Sequence, residues 1–436
     1  VKLHVRRARR LRGRFEVPGD KSISHRAALL GALADGTTEI RGYLEADDCL
    51  RTLRAIEALG VDVSRKGPGE YRIAGAGLRG LLEPANVVDC GNSGTGARLL
   101  LGVLAGQPFW TILTGDDSLR RRPMRRVVEP LARMGATIVG RADGDRLPLA
   151  IRGTERVRAV TVELPVASAQ VKSAILLAGL YADGPVSVTE PAASRDHSEA
   201  MLSAFGAGVV KQERTVTITP GPLRATSVAV PGDLSSAAFL LVAGLLVPDA
   251  AVTVDGVGLN PTRTGVLDVL AAMGAQLTVT PDPPGAGEPR GSLTAAAREL
   301  SGTVVAGALV PRLIDEVPIL ATVAALARGR TEIRDAAELR VKESDRLAML
   351  ARELGTLGAK IHERPDGLVI DGPARLRGAR VHSGGDHRIA MALAVAGLVA
   401  EGETVVEDAA CIETSFPQFV ETVNALAGEP VMRVAP

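Results

Sequence analysis

ALGVDV (residues 58–63), RMGATI (133–138), AFGAGV (204–209), AMGAQL (272–277) and TLGAKI (356–361) each close an amphipathic segment with a hydrophobe–glycine pair and open a strand. Their glycines, Gly60, Gly135, Gly206, Gly274 and Gly358, lie 75, 71, 68 and 84 residues apart. Glycine at such a point supplies the left-handed residue that stops a helix. A second series runs in phase, of small-residue helices that each lead through a turn into a β-rich strip. Its six members are HRAALLGALADGTTEI (25–40), ARLLLGVLAGQPFWTIL (97–113), VKSAILLAGLYADGPVSV (171–188), AAFLLVAGLLVPDAAVTV (237–254), PILATVAALARGRTEI (318–333) and RIAMALAVAGLVAEGETVV (388–406). Helices apolar nearly all round belong in a core. The chain therefore reads as α/β, six copies of helix–strand–helix–strands at roughly 73 residues each. The sixth copy is expected to be cut short by the C-terminus. The insert PDPPGAGEPRG (281–291) accounts for the longest spacing.

At 436 residues the chain exceeds one ordinary core, and two domains of about 200 residues are expected. VPGD occurs twice, at Val17–Asp20 and Val230–Asp233, 213 residues or three repeats apart. These segments read as the two crossings between domains. Residues 19–230 then carry repeats one to three, and residues 1–18 with 231–436 carry repeats four to six.

Only 2% of residues are aromatic, and the formal net charge is +1, so neither base-stacking platforms nor a basic footprint points to nucleic acid. The longest uncharged apolar run, Leu234 to Pro248, has 15 residues, too few to span a bilayer. The basic start VKLHVRRARRLRGR lacks the apolar stretch of a signal peptide and reads as an edge strand with solvated arginines. Three cysteines (Cys49, Cys90, Cys411) without a CxxC cannot make a disulfide framework. A cytoplasmic protein without a metal or cofactor is expected; His382 and His387 are too isolated to hold a metal.

Polar residues gather at the helix entrances. Ser, Thr, Asp and Asn there cap unpaired N–H groups, the reading preferred for Ser235, Ser236 and the Asp47–Asp48 pair. Capping does not account for cations, because a positive side chain at a helix N-terminus opposes the macrodipole. Lys21, Arg122, Arg195, Lys342, Arg346 and Arg388 nevertheless lie at or near such entrances. An anionic ligand reverses the sign, since dipole, N–H groups and cations then act together, and six cations point to more than one anionic group. GNSGTGARL (91–99) is glycine-rich but lacks the GK[ST] ending of a P-loop. Asp315 and Glu343 stand among the cations as candidates for acid–base work, with plain ion pairing as the alternative.

DKSISHRA, GNSGTGARL, RRRPM, SAQVKSA, LIDEVPIL, LRVKESDRL, GDHRIAMA and TSFPQF, in order from about Val17 to Phe419, closely resemble the 5-enolpyruvylshikimate-3-phosphate synthase family. ASAQ, LIDE and TSFPQF are similar to its class II subgroup. The resemblance implies an inverse α/β barrel of two domains, each of three βαβαββ units, closing on ligand. It implies transfer of the enolpyruvyl group of phosphoenolpyruvate to the 5-hydroxyl of shikimate 3-phosphate, with release of phosphate, in a monomer that glyphosate targets. By matching positions, Lys21, Ser22, Arg26, Ser168, Gln170, Arg195, Asp315 and Lys342 would hold shikimate 3-phosphate. Lys21, Gly94, Arg122, Gln170, Arg346 and Arg388 would hold phosphoenolpyruvate. Asp315 would take the hydroxyl proton, and Glu343, with Lys21 near, would protonate the methylene carbon.

This chain departs from the commonest family pattern at three places. Thr414 stands where many members have a phosphoenolpyruvate-contacting lysine, Ala169 where many have serine, and Glu338 where many have an asparagine on the shikimate phosphate. The related UDP-N-acetylglucosamine enolpyruvyl transferases use a loop cysteine as acid, and the corresponding DDSLRRRPM (116–124) has none. Cys90 reads as buried rather than reactive. A non-catalytic anion-binding repeat scaffold would explain the cations but not the carboxylates among them. An RNA-end cyclase of related fold would want a catalytic histidine, for which His387 is the one candidate.

Overall fold

The computed structural model describes residues 1–283 and 287–435; residues 284–286 of the insert at 281–291 lie outside the described residues. Two compact units are formed, one from 1–18, 231–283 and 289–435, the other from 19–230 with 287–288.

Each unit contains three mixed sheets, and one strand order recurs in all six. In the 19–230 unit, for example, Val88–Asp89 lies parallel to Trp110–Thr114. That strand pairs antiparallel with Arg146–Arg152, which pairs antiparallel with Thr137–Gly140. In the other unit Leu11–Glu16 lies parallel to Ala250–Gly258, which continues antiparallel through Arg290–Ala296 to Thr278–Pro281. Alternation is clear where one face is buried: in Lys2–Arg6, Leu3 and Val5 are buried and their neighbours are not.

The amphipathic helices are Asp47–Ala58, Arg125–Arg133, His197–Ala204, Gly265–Ala272, Arg346–Thr356 and Phe419–Ala427. The five stop glycines read from the sequence have φ between +87° and +111°. A side chain there would bring Cβ against the following carbonyl, which is why glycine marks these ends.

The apolar helices are Lys21–Leu33, Gly94–Leu104, Ala169–Gly179, Leu234–Leu246, Val317–Leu326 and His387–Gly397. Every residue of Leu234–Leu246 except Leu246 is buried. Burying each leucine of this kind stabilises the fold by about 1.5–3 kcal/mol. A Cβ on Gly102 would sit 2.3 Å from the Ala174 carbonyl oxygen, so the glycine lets Gly94–Leu104 and Ala169–Gly179 pack backbone to backbone. Each unit has its own apolar cluster. Among the described residues no helix is long and apolar enough to cross a membrane.

Two expectations are corrected, that of an edge strand at the start and that of the caps. After Phe419–Ala427, which ends at Gly428 (φ +72°), one strand follows, Met432–Ala435, where the equivalent sheets take an antiparallel pair from this part of the repeat. The sheet is completed by the first strand of the chain. Lys2–Arg6 pairs antiparallel on both sides, with Glu403–Glu407 and with Met432–Ala435, and is therefore an inner strand. Leu11–Glu16, from the same basic start, lies instead at the edge of its sheet beside Ala250–Gly258, with Arg12 and Arg14 exposed. Finally, the caps differ. Ala46 precedes Asp47–Ala58 with no side-chain cap, and Asp233, not a serine, accepts from the Ser235 N–H.

Candidate active site

In the 19–230 unit the candidate residues sit at the starts of three apolar helices and in the loops beside them. Asp20 caps Lys21–Leu33 by accepting from Ile23 N at 2.9 Å, which places Lys21 and Ser22 in the first turn. Lys21 Nζ lies 2.9 Å from Asp48, the residue read as a cap. Arg26, a turn further in, is buried and donates to the Ser22 carbonyl (2.8 Å), Ser198 Oγ (2.7 Å) and Ser173 Oγ (2.8 Å). Burial lowers its pKa to about 10 against the opposing pull of Glu199 and Asp20, with Arg195 close enough to add to the lowering.

Ser93 caps Gly94–Leu104 through Gly96 N at 3.0 Å. Its hydroxyl also meets His25 Nε2 at 3.2 Å, while His25 Nδ1 lies 2.7 Å from Thr52 Oγ1. Burial, reinforced by the charges of Lys21 and Arg26, pushes His25 well below the ordinary histidine pKa, so a neutral ring locks the glycine-rich loop to its neighbours. Arg122 follows a short 3₁₀ turn, Leu119–Arg121, and reaches Asn92 Oδ1 and Ser118 Oγ. Arg98 joins the remaining parts: it donates to Gln170 Oε1 (2.6 Å) and to the Pro123 carbonyl (3.0 Å), while Gln170 Nε2 donates to Thr95 Oγ1 (2.8 Å). Gly94, Arg122 and Gln170 are thus brought together.

Ser168 caps Ala169–Gly179 weakly, accepting from Val171 N at 3.4 Å, and its own N–H donates to Glu190 Oε1 at 3.0 Å. Arg195 lies two residues before His197–Ala204.

In the other unit Asp315 lies in the 3₁₀ turn Ile314–Glu316 that feeds Val317–Leu326. Three cations gather on its carboxylate: Lys342 Nζ at 3.6 Å, Arg346 Nη1 at 3.2 Å and Arg388 Nη2 at 4.0 Å. Arg346 opens the helix capped by Asp345 and has no exposed side-chain surface. Its Nη2 donates to Glu343 at 2.6 Å, and Asp386 takes Nε at 2.8 Å and Nη2 at 3.2 Å. Burial works against its charge, yet Asp386, Glu343 and Asp315 together raise its pKa above the ordinary arginine value. Asp386 also caps His387–Gly397 through Arg388 N at 3.0 Å. The cations at these entrances are therefore partly met by carboxylates of the chain itself.

The sequence reading gave no site role to Arg98, His25 or Asp386, and read Asp48 only as a cap. Two carried a signal: Arg98 lies four residues after Gly94, one helical turn on, and Asp386 stands at an N-cap position ahead of Arg388. Cys90 is buried, and burial raises its thiol to about 12, which keeps it from acting as an acid or nucleophile near neutral pH. A Cβ at Gly94 would meet Arg122 Nη1 at 2.9 Å and Arg98 Nη1 at 3.0 Å. Gly94→Ala is therefore expected to displace Arg122 and raise the KM for an anionic ligand held there about tenfold, or about 1.4 kcal/mol, in steady-state kinetics.

In each unit apolar helices pack in a core, and lysines and arginines stand at their entrances; the class is α/β. The fold is shared with the enolpyruvyl transferase NikO of Streptomyces tendae, a likeness of fold alone at 20% identity (TM-score 0.80, covering 100% of this chain and 99% of that one). EPSP synthase from Acinetobacter baumannii superimposes with a TM-score of 0.87 at 41% identity, covering all of both chains. Residues 5–423 match the family model of EPSP synthase (3-phosphoshikimate 1-carboxyvinyltransferase). The 3-phosphoshikimate 1-carboxyvinyltransferases of Gloeobacter violaceus and Desulforudis audaxviator are 58% and 54% identical to the chain. Those alignments cover 95% and 97% of this chain and 96% and 99% of the relatives. The chain belongs to the EPSP synthase family.

Proposed function

We propose that the chain carries out its family's reaction, transfer of the enolpyruvyl group of phosphoenolpyruvate to the 5-hydroxyl of shikimate 3-phosphate, with the residues just described. Lys21, Ser22, Arg26, Ser168, Gln170, Arg195, Asp315 and Lys342 hold shikimate 3-phosphate. Lys21, Gly94, Arg122, Gln170, Arg346 and Arg388 hold phosphoenolpyruvate. The observation that carries this reading is the cluster of Lys342, Arg346 and Arg388 on Asp315, with Glu343 on Arg346.

In the addition step the acceptor oxygen bonds to C2 of phosphoenolpyruvate as Asp315 takes the hydroxyl proton. Glu343 gives a proton to C3, Lys21 being assigned to the same step, and a tetrahedral ketal results. In the elimination step C3 returns a proton and the C2–O bond to phosphate breaks, restoring the double bond. Protonating a vinyl carbon needs an acid held in contact with it, and planar arginine forks suit the carboxylate and phosphate charge that must be contained meanwhile. The departing positions are read as those of a class II member: Thr414 in place of lysine removes one charge contact, Ala169 in place of serine removes one hydroxyl contact, and Glu338 has no part in binding phosphate.

The finer architecture belongs to the same proposal. Residues 19–230, and 1–18 with 231–436, form two domains of three βαβαββ repeats in an inverse α/β barrel, with crossings at the two VPGD segments; the recurring strand order supports this. The protein acts as a cytoplasmic monomer on small molecules and is a target of glyphosate. Phosphate release tests the reading. It is expected with phosphoenolpyruvate plus shikimate 3-phosphate and absent with UDP-N-acetylglucosamine as acceptor. Release with the sugar nucleotide alone would show the acceptor to be misread.

A further inference from the structure

One buried charged cluster is left unused by that mechanism. Lys172 stands in the apolar run VKSAILLAGL, where the neighbouring helix residues are small or aliphatic, and its side chain is 2% exposed. Its Nζ lies 2.7 Å from Glu190 Oε2 and 2.8 Å from Glu199 Oε1, both carboxylates being buried as well. Each carboxylate leads to a segment of the acceptor half-site. Glu190 accepts the Ser168 N–H (3.0 Å) and the Ser194 hydroxyl (2.8 Å), so it ties the Ser168 cap to the residue before Arg195. Glu199 follows Ser198, whose hydroxyl accepts from Arg26 and donates to Ser173 at 2.6 Å; Ser173 adjoins Lys172.

With Arg26 the cluster holds two cations and two carboxylates, all buried, and is neutral. Stability alone does not call for such a group, since apolar residues of similar volume usually serve a core as well or better. We propose that Lys172 is a positioning residue for shikimate 3-phosphate. Through Glu190 and Glu199 it fixes the Ser168, Arg195 and Arg26 segments, and it cancels the carboxylate charge that would otherwise lie behind the phosphate subsite. The inference rests on the assignment of Arg26, Ser168 and Arg195 to the acceptor.

Lys172→Met keeps the stem volume and leaves two buried carboxylates against one arginine. It is expected to raise the KM for shikimate 3-phosphate about 10- to 100-fold, while the KM for phosphoenolpyruvate and kcat at saturating substrates move less than about threefold. Lys172→Met combined with Glu199→Gln restores neutrality and is expected to recover at least about tenfold of that loss, a rescue that damage to packing would not show. Glu190→Gln, which keeps size and hydrogen-bonding atoms, carries the test should Lys172→Met fail to fold, with an expected rise of about fivefold or more in the same KM. A folded Lys172→Met with unchanged KM values, an equal rise for both substrates, or a double variant no better than the single would overturn the proposal. Calorimetric binding of shikimate 3-phosphate to Arg26→Ala separates the two levels. Unchanged binding there sinks the site assignment and this inference with it; weakened binding beside an unaffected Lys172→Met sinks the inference alone.

Discussion

Asp386→Ala is expected to destabilise its unit by about 3–5 kcal/mol, the range for breaking a buried ion pair from one side. Neither Arg346 nor Asp386 exposes any side-chain surface, and the carboxylate takes two of the guanidinium's donors. The alanine leaves that guanidinium buried with only Glu343 and Asp315 for compensation. Two further losses add to it: the cap on His387–Gly397, which is worth about 1 kcal/mol, and the acceptor for Ser344 Oγ at 3.0 Å. Urea unfolding should show a lower midpoint at unchanged slope. Asp386→Asn, which keeps an oxygen for the cap but not the charge, should fall between the two. Arg375→Ala, at an ion pair with Glu401 on the exposed surface, provides the contrast and should leave the midpoint unmoved. A midpoint for Asp386→Ala indistinguishable from that of Arg375→Ala would show that Arg346 finds its compensation elsewhere.

The contrast between these two aspartate and arginine sites also explains what could be read in the sequence and what could not. The glycine stops were legible because a left-handed residue at a helix end is demanded by local backbone geometry, whatever packs around it. The apolar helices were legible for a similar reason: a segment with no polar face has only a core to go to. The closing strand was not. KLHVR has the alternation of a half-buried strand, but nothing local says that it slots between Glu403–Glu407 and Met432–Ala435, at the far end of the chain.

The same division runs through the candidate site. Lysines and arginines at helix entrances stand out because they oppose the dipole, and that anomaly is visible in one dimension. Their partners are not. Asp48 looked like a cap because acidic residues favour first turns, yet it serves Lys21 from 27 positions away. Arg98 looked like an ordinary helix residue, and its role depends on Gln170, 72 positions away. Lys172 was the exception left unread: a lysine inside an aliphatic run has to be buried with a counter-charge, and Glu190 and Glu199 follow within one repeat.

Asp315→Ala is expected to lower kcat by about 10²- to 10⁴-fold, the span of a lost general base, without the fall in stability foreseen for Asp386→Ala. The two carboxylates share Arg346 but stand differently toward it. Asp386 is wholly buried and binds it through two donors, whereas Asp315 keeps 13% of its side-chain surface and meets Nη1 alone at 3.2 Å. Removing Asp315 also frees positive charge: Lys342, Arg346 and Arg388 lose a common neighbour at 3.6, 3.2 and 4.0 Å. An anionic substrate should then bind at least as well as before, so the KM for phosphoenolpyruvate should hold or fall while kcat collapses. That split separates a base from a residue that holds phosphoenolpyruvate, since loss of a binding contact raises the KM of the ligand it holds. Glu343→Gln should lower kcat within the same range, because an amide cannot deliver the proton that C3 requires. It leaves Arg346 with Asp386 and Asp315, so the unfolding midpoint should change little. Phosphate release under saturating substrates, followed in both variants beside urea unfolding, decides the matter. An Asp315→Ala protein that keeps more than about a tenth of wild-type kcat would remove Asp315 from the chemistry and leave it as an ion-pair partner of the three cations.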